Sequence, residues 1–452
     1  MISKMFSKLI LYFIHKPGLA LAVTFAGIIF IGTGLLLLPQ ATLSGDISFI
    51  DALFTAVSAV CVTGLTVLDT GTDFTFFGQI VILGLIQVGA LGIMTAAAFF
   101  VLILHRKMRI GYQAALRRIL DMDFMTESVR IIKFIVISTF IIEIIGAFIL
   151  FFFWDLSQFS WQDKAFYSIF HAVSAFGNAG FSLFSDNLTS FNGDVVLNIV
   201  IMSLIVLGGL GFIVLVDFKK CFWGIVRHNY GFRYFRIHTK IMIVATAILI
   251  IIGAVGFFIF EKNNPDFSAH PIISSFFQSI TARTAGFNTV NIGALSSPSY
   301  LLLMALMFIG GGAGSTAGGV KVTTVAILFI LVISFIRRRK EVSIFGRTLT
   351  LGNIFSAVAV FFFAISVLFP FLILLLYMEN GSFREILFEA ISAFGTVGLS
   401  MGITPHLTFF GKMFIIILMF IGRIGPLAII LITVRETENA IIKYPHERVV
   451  VG

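Results

Sequence analysis

Long apolar runs separated by short polar stretches set the pattern of this chain. Runs at 18–39, 77–104, 130–154, 195–216, 241–260, 300–335, 353–378 and 411–434 each reach about the 20 residues a helix needs to cross a bilayer. They predict eight transmembrane helices. Between the members of each successive pair lie shorter, mildly apolar segments that begin near Phe54, Phe170, Phe277 and Phe388. Each is too short to cross and too apolar for an ordinary loop. That combination predicts a re-entrant helix, which membrane depth tolerates only where protein or a water-filled path surrounds it.

The four segments resemble one another: FTAVSAVCVTGL (54–65), FHAVSAFGNAGF (170–181), FQSITARTAGF (277–287) and FEAISAFGTVGL (388–399). The third copy is shorter than the others. Aligned on Gly64, Gly180, Gly286 and Gly398, they recur with a period of about 110 residues. Each copy reads span, short helix, Gly turn, span. An even number of spans per copy keeps every copy in one orientation, so the repeats are parallel about an axis along the membrane normal. The predicted organisation is one all-α membrane domain with repeats at 1–115, 116–228, 229–345 and 346–452.

Composition agrees with this pattern. Hydrophobic residues make up 58% and charged residues 12% of the 452 positions, against about 25% charged in soluble domains. A soluble enzyme and a nucleic-acid partner are both excluded on that ground. The net charge of +9 then reports loops rather than nucleic acid. Most of the 31 Lys and Arg fall in 1–17, 105–133, 217–240, 336–350 and 435–452, all on one side of the predicted topology. Acidic residues such as Asp46, Asp51, Asp69, Asp73, Asp155, Asp163, Asp186 and Asp194 gather on the other. This asymmetry places both termini in the cytoplasm. The first run is too long for a signal peptide and has no small-residue cleavage site, so it is read as a retained helix. Cys61 and Cys221, the only cysteines, suggest no disulfide framework.

Four parallel repeats around one axis would bring four glycine turns together. Glycine permits positive φ and close backbone approach. Such turns can aim carbonyl oxygens at a cation and replace its water shell, with the helix carboxyl ends adding negative potential. The candidate filter residues are Val62, Thr63 and Gly64, then Asn178, Ala179 and Gly180, then Thr284, Ala285 and Gly286, and Thr396, Val397 and Gly398. A single membrane glycine is more simply a packing residue; four at matching positions favour the filter. Ser58, Ser174 and Ser392, with Thr281 in the related place, are expected to bond the short helices or one another.

These features, together with DALFTAVSAVCVTGLTVLDTGTDFT (51–75), TARTAGFN (281–288), MFIGGGAGSTAGGVK (307–321), FEAISAFGTVGLSMGITP (388–405), MFIGRIGPL (419–427) and the ending IKYPHERVVVG, resemble the Trk/Ktr/HKT superfamily of potassium transporters. The likeness spans nearly the full chain and is nearest to the membrane subunits of bacterial Ktr systems. It implies K+ uptake through the bacterial plasma membrane, with Na+ as a candidate second ion and no organic cofactor in this chain. It also implies a homodimer with one pore per subunit and a cytoplasmic RCK-type ring that binds ATP or ADP. In that family, Gly at all four filter positions goes with potassium, and Ser at the first goes with sodium in some plant relatives. Gly64 therefore favours potassium.

The sixth run holds Gly310, Gly311, Gly312, Ala313, Gly314, Ser315, Thr316, Ala317, Gly318 and Gly319. So many glycines weaken a helix, each by about 1 kcal/mol relative to Ala. Close helix packing and an unwound segment along a water-filled path are both open readings, and the resemblance implies a gate. Lys321 is either its switchable partner or a water-facing residue. Arg423 lies mid-span, where a charge is expensive and by default functional. It is read as a pore charge that limits throughput, with a buried structural pair as the alternative; Glu143 is the other intramembrane charge. Arg283 is expected to anchor the third short helix to Asp69 or Asp73. The basic loops, including Arg337, Arg338, Arg339 and Lys340, can meet anionic lipid or a protein partner. No glycine-rich nucleotide fingerprint follows a predicted strand, so nucleotide control would need another subunit. The eight histidines form no close metal-ligand pair, which leaves an intramembrane enzyme without support. A sodium- or proton-coupled secondary transporter is the competing function. The apolar tail at 449–452 is expected to dock at a dimer interface.

Overall fold

A computed structural model describes residues 17–104, 128–156, 158–226, 235–339 and 341–425. The order long helix, short helix, second helix occurs four times. The first set is α1 (Pro17–Leu36), α2 (Phe49–Val60) and α3 (Phe76–Leu104). The second is α4 (Ser128–Phe153), α5 (Trp161–Gly177) and α6 (Val195–Leu210), continued by α7 (Phe212–Val226). The third is α8 (Ile237–Phe260), α9 (Pro271–Thr281) and α10 (Ser297–Phe308), continued by α11 (Val322–Ile336). The fourth is α12 (Leu351–Met378), α13 (Phe383–Gly395) and α14 (Phe409–Ile424). A two-stranded hairpin, β1 (Ser343–Ile344) and β2 (Arg347–Thr348), lies in the predicted 336–350 loop.

Among the described residues, four helices are singly long and apolar enough to cross a membrane, and they are the leading helices α1, α4, α8 and α12. Their outer faces expose Ile31, Ile144, Ile259 and Phe362. Exposed apolar surface on this scale marks a bilayer-facing protein. Two of the second helices, α6 and α10, depart from straight crossings. The 195–216 run was expected as one span, but α6 ends at Leu210 and α7 leaves it at 99°. Gly211, at φ 90°, supplies the backbone for that corner. The 300–335 run is broken between Phe308 and Val322, where its glycines lie.

The short helices begin at least a turn upstream of Phe54, Phe170, Phe277 and Phe388. N-caps explain this. Ser48 accepts the Asp51 N–H, Ser160 the Asp163 N–H, and Ser382 forms a capping box with Glu385. Pro271 opens the remaining helix at its first turn. These caps satisfy orphan donors, and the carboxylates complement the helix dipole.

The short helices sit inside. In α2, everything from Phe54 to Val60 is buried, as is Phe388 to Phe394 in α13 except Ile391. Each second helix also packs on the short helix of the next set: α3 on α5, α6 on α9, α10 on α13, and α14 on α2. The last of these contacts closes a ring of four around a central axis.

Candidate functional site

Each short helix ends in a sharp backbone turn. Two residues before each aligned glycine the φ angle is positive: Val62 at 54°, Asn178 at 59°, Thr284 at 69° and Thr396 at 48°. The glycines follow at 92°, 69°, 78° and 92°. For β-branched Val and Thr this is a genuine outlier. Such strain, of order 1–3 kcal/mol per residue, persists only where surrounding structure enforces it and clusters at functional sites.

Hydrogen bonds from the short helices enforce it here. The Ser58 carbonyl accepts the Thr63 N–H at 2.8 Å, and its hydroxyl accepts the Gly64 N–H at 3.1 Å. Ser392 does the same for Val397 at 2.8 Å and Gly398 at 3.1 Å. In the other two copies the hydroxyl donates instead. Ser174 donates to the Phe181 carbonyl at 2.8 Å, and Thr281 to the Phe287 carbonyl at 2.6 Å. Sequence reasoning placed these hydroxyls against the short helices or one another. They instead tether the strained turns.

The four turns form a closed ring with no room for side chains. A Cβ on Gly180 would meet the Ala285 carbonyl oxygen at 2.7 Å, and one on Gly286 would meet the Val397 oxygen at 2.5 Å. A Cβ on Gly64 would fall closer than 3.0 Å to the Ala179 oxygen, and one on Gly398 equally close to the Thr63 oxygen. The order is therefore Gly64, Gly180, Gly286, Gly398 and back to Gly64. The side-chain oxygens of Thr63, Thr284 and Thr396 are buried beside the ring without a partner among the described residues.

The glycine-rich segment between α10 and α11 packs against the fourth turn. A Cβ on Gly318 would clash with the Thr396 side chain, and Gly319 abuts Gly395. Irregular backbone at this depth needs internal partners, and it has them. The Gly310 N–H donates to Val320 and the Val322 N–H to Gly311, at 2.8 and 3.0 Å. Across to the α6–α7 corner, Gly312 donates to Gly209 at 2.8 Å, and Phe212 donates to Gly314 at 3.1 Å. Ser315 donates to the Gly312 carbonyl at 2.7 Å, and Lys321 Nζ to the Ala317 carbonyl at 2.6 Å. Lys321 is thus bound to the segment itself.

Arg423 reaches the same segment from α14. It is buried; Nη1 donates to the Thr316 carbonyl, and Nη2 donates to the Gly89 carbonyl at 2.6 Å. It does not meet Glu143, which accepts from Gln87 Nε2 at 3.1 Å. The side chain ties three elements together: α14, the glycine-rich segment between α10 and α11, and α3. The expected anchor from Arg283 to Asp69 or Asp73 does not form. Asp69 accepts the Gly71 and Thr72 N–H groups, and Asp73 accepts the Asp69 N–H. Arg283 stays buried, with Nε unpartnered among the described residues.

Sequence reasoning missed Gly89, Gly208 and Gly422. A Cβ on each would fall closer than 3.0 Å to the carbonyl oxygen of Val60, Phe176 or Phe394, at the end of a short helix. These glycines let α3, α6 and α14 lie directly against the carboxyl end of the short helix in their own set. They stand 25, 28 and 24 residues beyond the aligned Gly64, Gly180 and Gly398, so no single spacing marks them in the sequence. Residues 426–434 of the last predicted span, and the tail at 449–452, lie outside the described residues.

A ring of strained backbone turns, closed by glycine and lined by carbonyls, suits cation transfer. The sequence matches the TrkH family of cation transport proteins over residues 13–443. The chain belongs to the TrkH family. Its relatives include the Ktr system potassium uptake protein B of Bacillus subtilis (strain 168), 42% identical over 98% of this chain and 99% of that one. The protein of the same name from Vibrio alginolyticus is 39% identical over 95% of this chain and 94% of that one. The potassium/sodium uptake protein NtpJ of Enterococcus hirae is 37% identical over 97% of each. Among solved structures, the potassium transporter TrkH from Vibrio parahaemolyticus superposes with a TM-score of 0.74 at 19% identity, over 92% of this chain and 84% of that one. That likeness shows the fold of this TrkH-family chain, a multi-pass all-α membrane protein.

Proposed function

We propose that this chain takes up potassium, as the membrane subunit of a Ktr-type system. One observation carries the reading: the four positive-φ turns whose glycines close a ring against one another's carbonyls. Val62 to Gly64, Asn178 to Gly180, Thr284 to Gly286 and Thr396 to Gly398 are the filter. Their carbonyls replace the water shell of K+, and the membrane potential drives the ion inward. The four helix sets are parallel repeats that divide at 115, 228 and 345, with eight crossings and both termini in the cytoplasm.

The segment from Gly310 to Gly319 is the gate, because it packs against the fourth turn and is held from two sides. Arg423 is its latch as well as a positive charge beside the path. The names of the Ktr relatives support a system with further subunits, and we assign to it a homodimer in the bacterial plasma membrane and an RCK-type ring that responds to ATP or ADP. NtpJ's name joins sodium to potassium, so sodium belongs in the test.

The test is K+ and Na+ uptake by cells lacking their own uptake systems, with a Ktr-type ring subunit co-expressed. Wild type should restore K+ uptake. Gly64→Ser at matched membrane level should weaken the K+ preference, because a side chain there meets the Ala179 carbonyl. Restored uptake with selectivity untouched by the mutation would mean that Gly64 only packs.

A further inference from the structure

We infer that His171 and Glu389 are filter-positioning residues, an opposed pair that fixes the outer ends of the second and fourth turns. The inference rests on the filter reading above. It starts from the residue after the leading Phe of each short helix: Thr55, His171, Gln278 and Glu389. All four are buried. A polar group in that setting must find a partner or it destabilises the fold, and the four solve this differently.

Thr55 donates to the Asp51 carbonyl of its own helix at 2.9 Å. Neither amide atom of Gln278 has a partner among the described residues. The other two reach across to the chain that leaves the turn. His171 Nδ1 donates to the Tyr167 carbonyl at 2.8 Å, and Nε2 pairs with the Ser182 hydroxyl at 3.1 Å. Glu389 accepts from the Ser400 hydroxyl at 2.9 Å and from Thr404 Oγ1. Ser182 and Ser400 stand at the same place, two residues beyond Gly180 and Gly398. Each hydroxyl also accepts the N–H of the residue two further on, Phe184 at 3.1 Å and Gly402 at 3.0 Å.

The same device is therefore built twice, with a carboxyl in one copy and an imidazole in the other. The first and third turns lack it. Because the ring runs Gly64, Gly180, Gly286, Gly398, the two braced turns face each other across the axis. Selectivity between cations of different radius depends on how firmly the carbonyl frame is held. Two braced turns opposite each other set one diameter of that frame at its outer end.

The experiment measures the K+:Na+ uptake ratio of the full chain in uptake-deficient cells, with its ring subunit co-expressed and membrane levels matched. Glu389→Ala and Ser400→Ala should each lower the ratio roughly five- to tenfold, the factor that loss of one net hydrogen bond corresponds to. The double variant should fall no further, since both remove one link. His171→Ala and Ser182→Ala should behave as the same kind of pair. Glu389→Gln should restore most of the ratio, because its amide oxygen still accepts one hydroxyl. Thr55→Val, buried in the same register but bonded only within its helix, should leave the ratio unchanged. Loss of membrane protein with an unchanged ratio overturns the inference, as do losses that multiply in the double variant. If Gly64→Ser and Gly398→Ala also leave the ratio untouched, the filter reading itself fails. If only the glycine variants move it, the bracing inference alone fails.

Discussion

Arg423 offers a test that separates a latch from a charge. Its guanidinium spends two donors on the carbonyls of Thr316 and Gly89. Hydrogen bonds from a charged donor are worth about 1.5–3 kcal/mol each, so Arg423→Ala removes about 3–6 kcal/mol of gross interaction. It also removes the several-kcal/mol penalty of burying a cation. The two terms nearly offset, so the fold survives. The glycine-rich segment, however, loses its tie to α14. Weakening the closed arrangement by only about 1.4 kcal/mol raises an open population tenfold while it remains the minor state. Arg423→Ala should therefore raise K+ uptake about tenfold or more at matched membrane level. Arg423→Lys keeps the charge but cannot hold two carbonyls in one fork. If tethering limits flux, Lys gives a rate between Arg and Ala. If repulsion limits it, Lys matches Arg. The assay is initial K+ uptake against external concentration, with protein counted in the membrane. Unchanged flux for Ala together with poor membrane accumulation would refute both roles and leave Arg423 a packing residue.

Four further outcomes follow from the same geometry. Gly422→Ala puts a Cβ against the Phe394 carbonyl, closer than 3.0 Å. Overpacking of that kind costs typically about 1–3 kcal/mol, so thermal stability in detergent should fall and the K+:Na+ ratio with it. Gly34→Ala, which meets nothing within 4 Å, should raise stability by about 0.4–1 kcal/mol and leave transport alone. Ser58→Ala strips the acceptor from the Gly64 N–H, which costs about 1–3 kcal/mol for a buried donor; the readout is a lower K+:Na+ ratio. At the carboxyl end of α8, burial pushes the Glu261 carboxyl up, but hydrogen bonds from Ser296, Ser299 and Asn264 outweigh it and hold the carboxyl below its ordinary 4.5. Its stabilising effect is complete above that value and disappears as pH falls through the lower folded one. Melting temperature measured in acid should show this loss in the wild type and less of it in Glu261→Gln.

How much of this was legible beforehand depends on the kind of signal. The leading helices α1, α4, α8 and α12 are carried by composition alone, because crossing a bilayer demands apolar length. The break in the sixth run was legible because glycine weakens a helix wherever it is placed. The corner at Gly211 was not, although Gly208 and Gly209 stand beside it, since small residues in an apolar run serve close helix packing as readily as a bend. The short-helix starts were written in Ser48, Ser160 and Ser382, but a reading led by apolar residues begins at the following Phe and passes over the caps. Positive φ at Val62, Thr284 and Thr396 left no trace in residue type, because β-branched side chains argue against it. Only the tethers from Ser58, Thr281 and Ser392, with the neighbouring copies, impose that conformation.

The tethers divide the four sequence copies into two neighbouring pairs. Ser58 and Ser392 accept from glycine N–H groups, while Ser174 and Thr281 donate to the carbonyl beyond the glycine. The first and fourth turns are thus held at the glycine, and the second and third one residue further out. The bracing residues divide the copies differently again, joining the second to the fourth. No two turns carry the same complete set of bonds. The carbonyl ring requires only that four backbones present similar oxygens to one axis. Side chains behind it are free to diverge wherever an alternative bond holds the same backbone shape, which is how one chain can tune four turns separately while keeping a single ring.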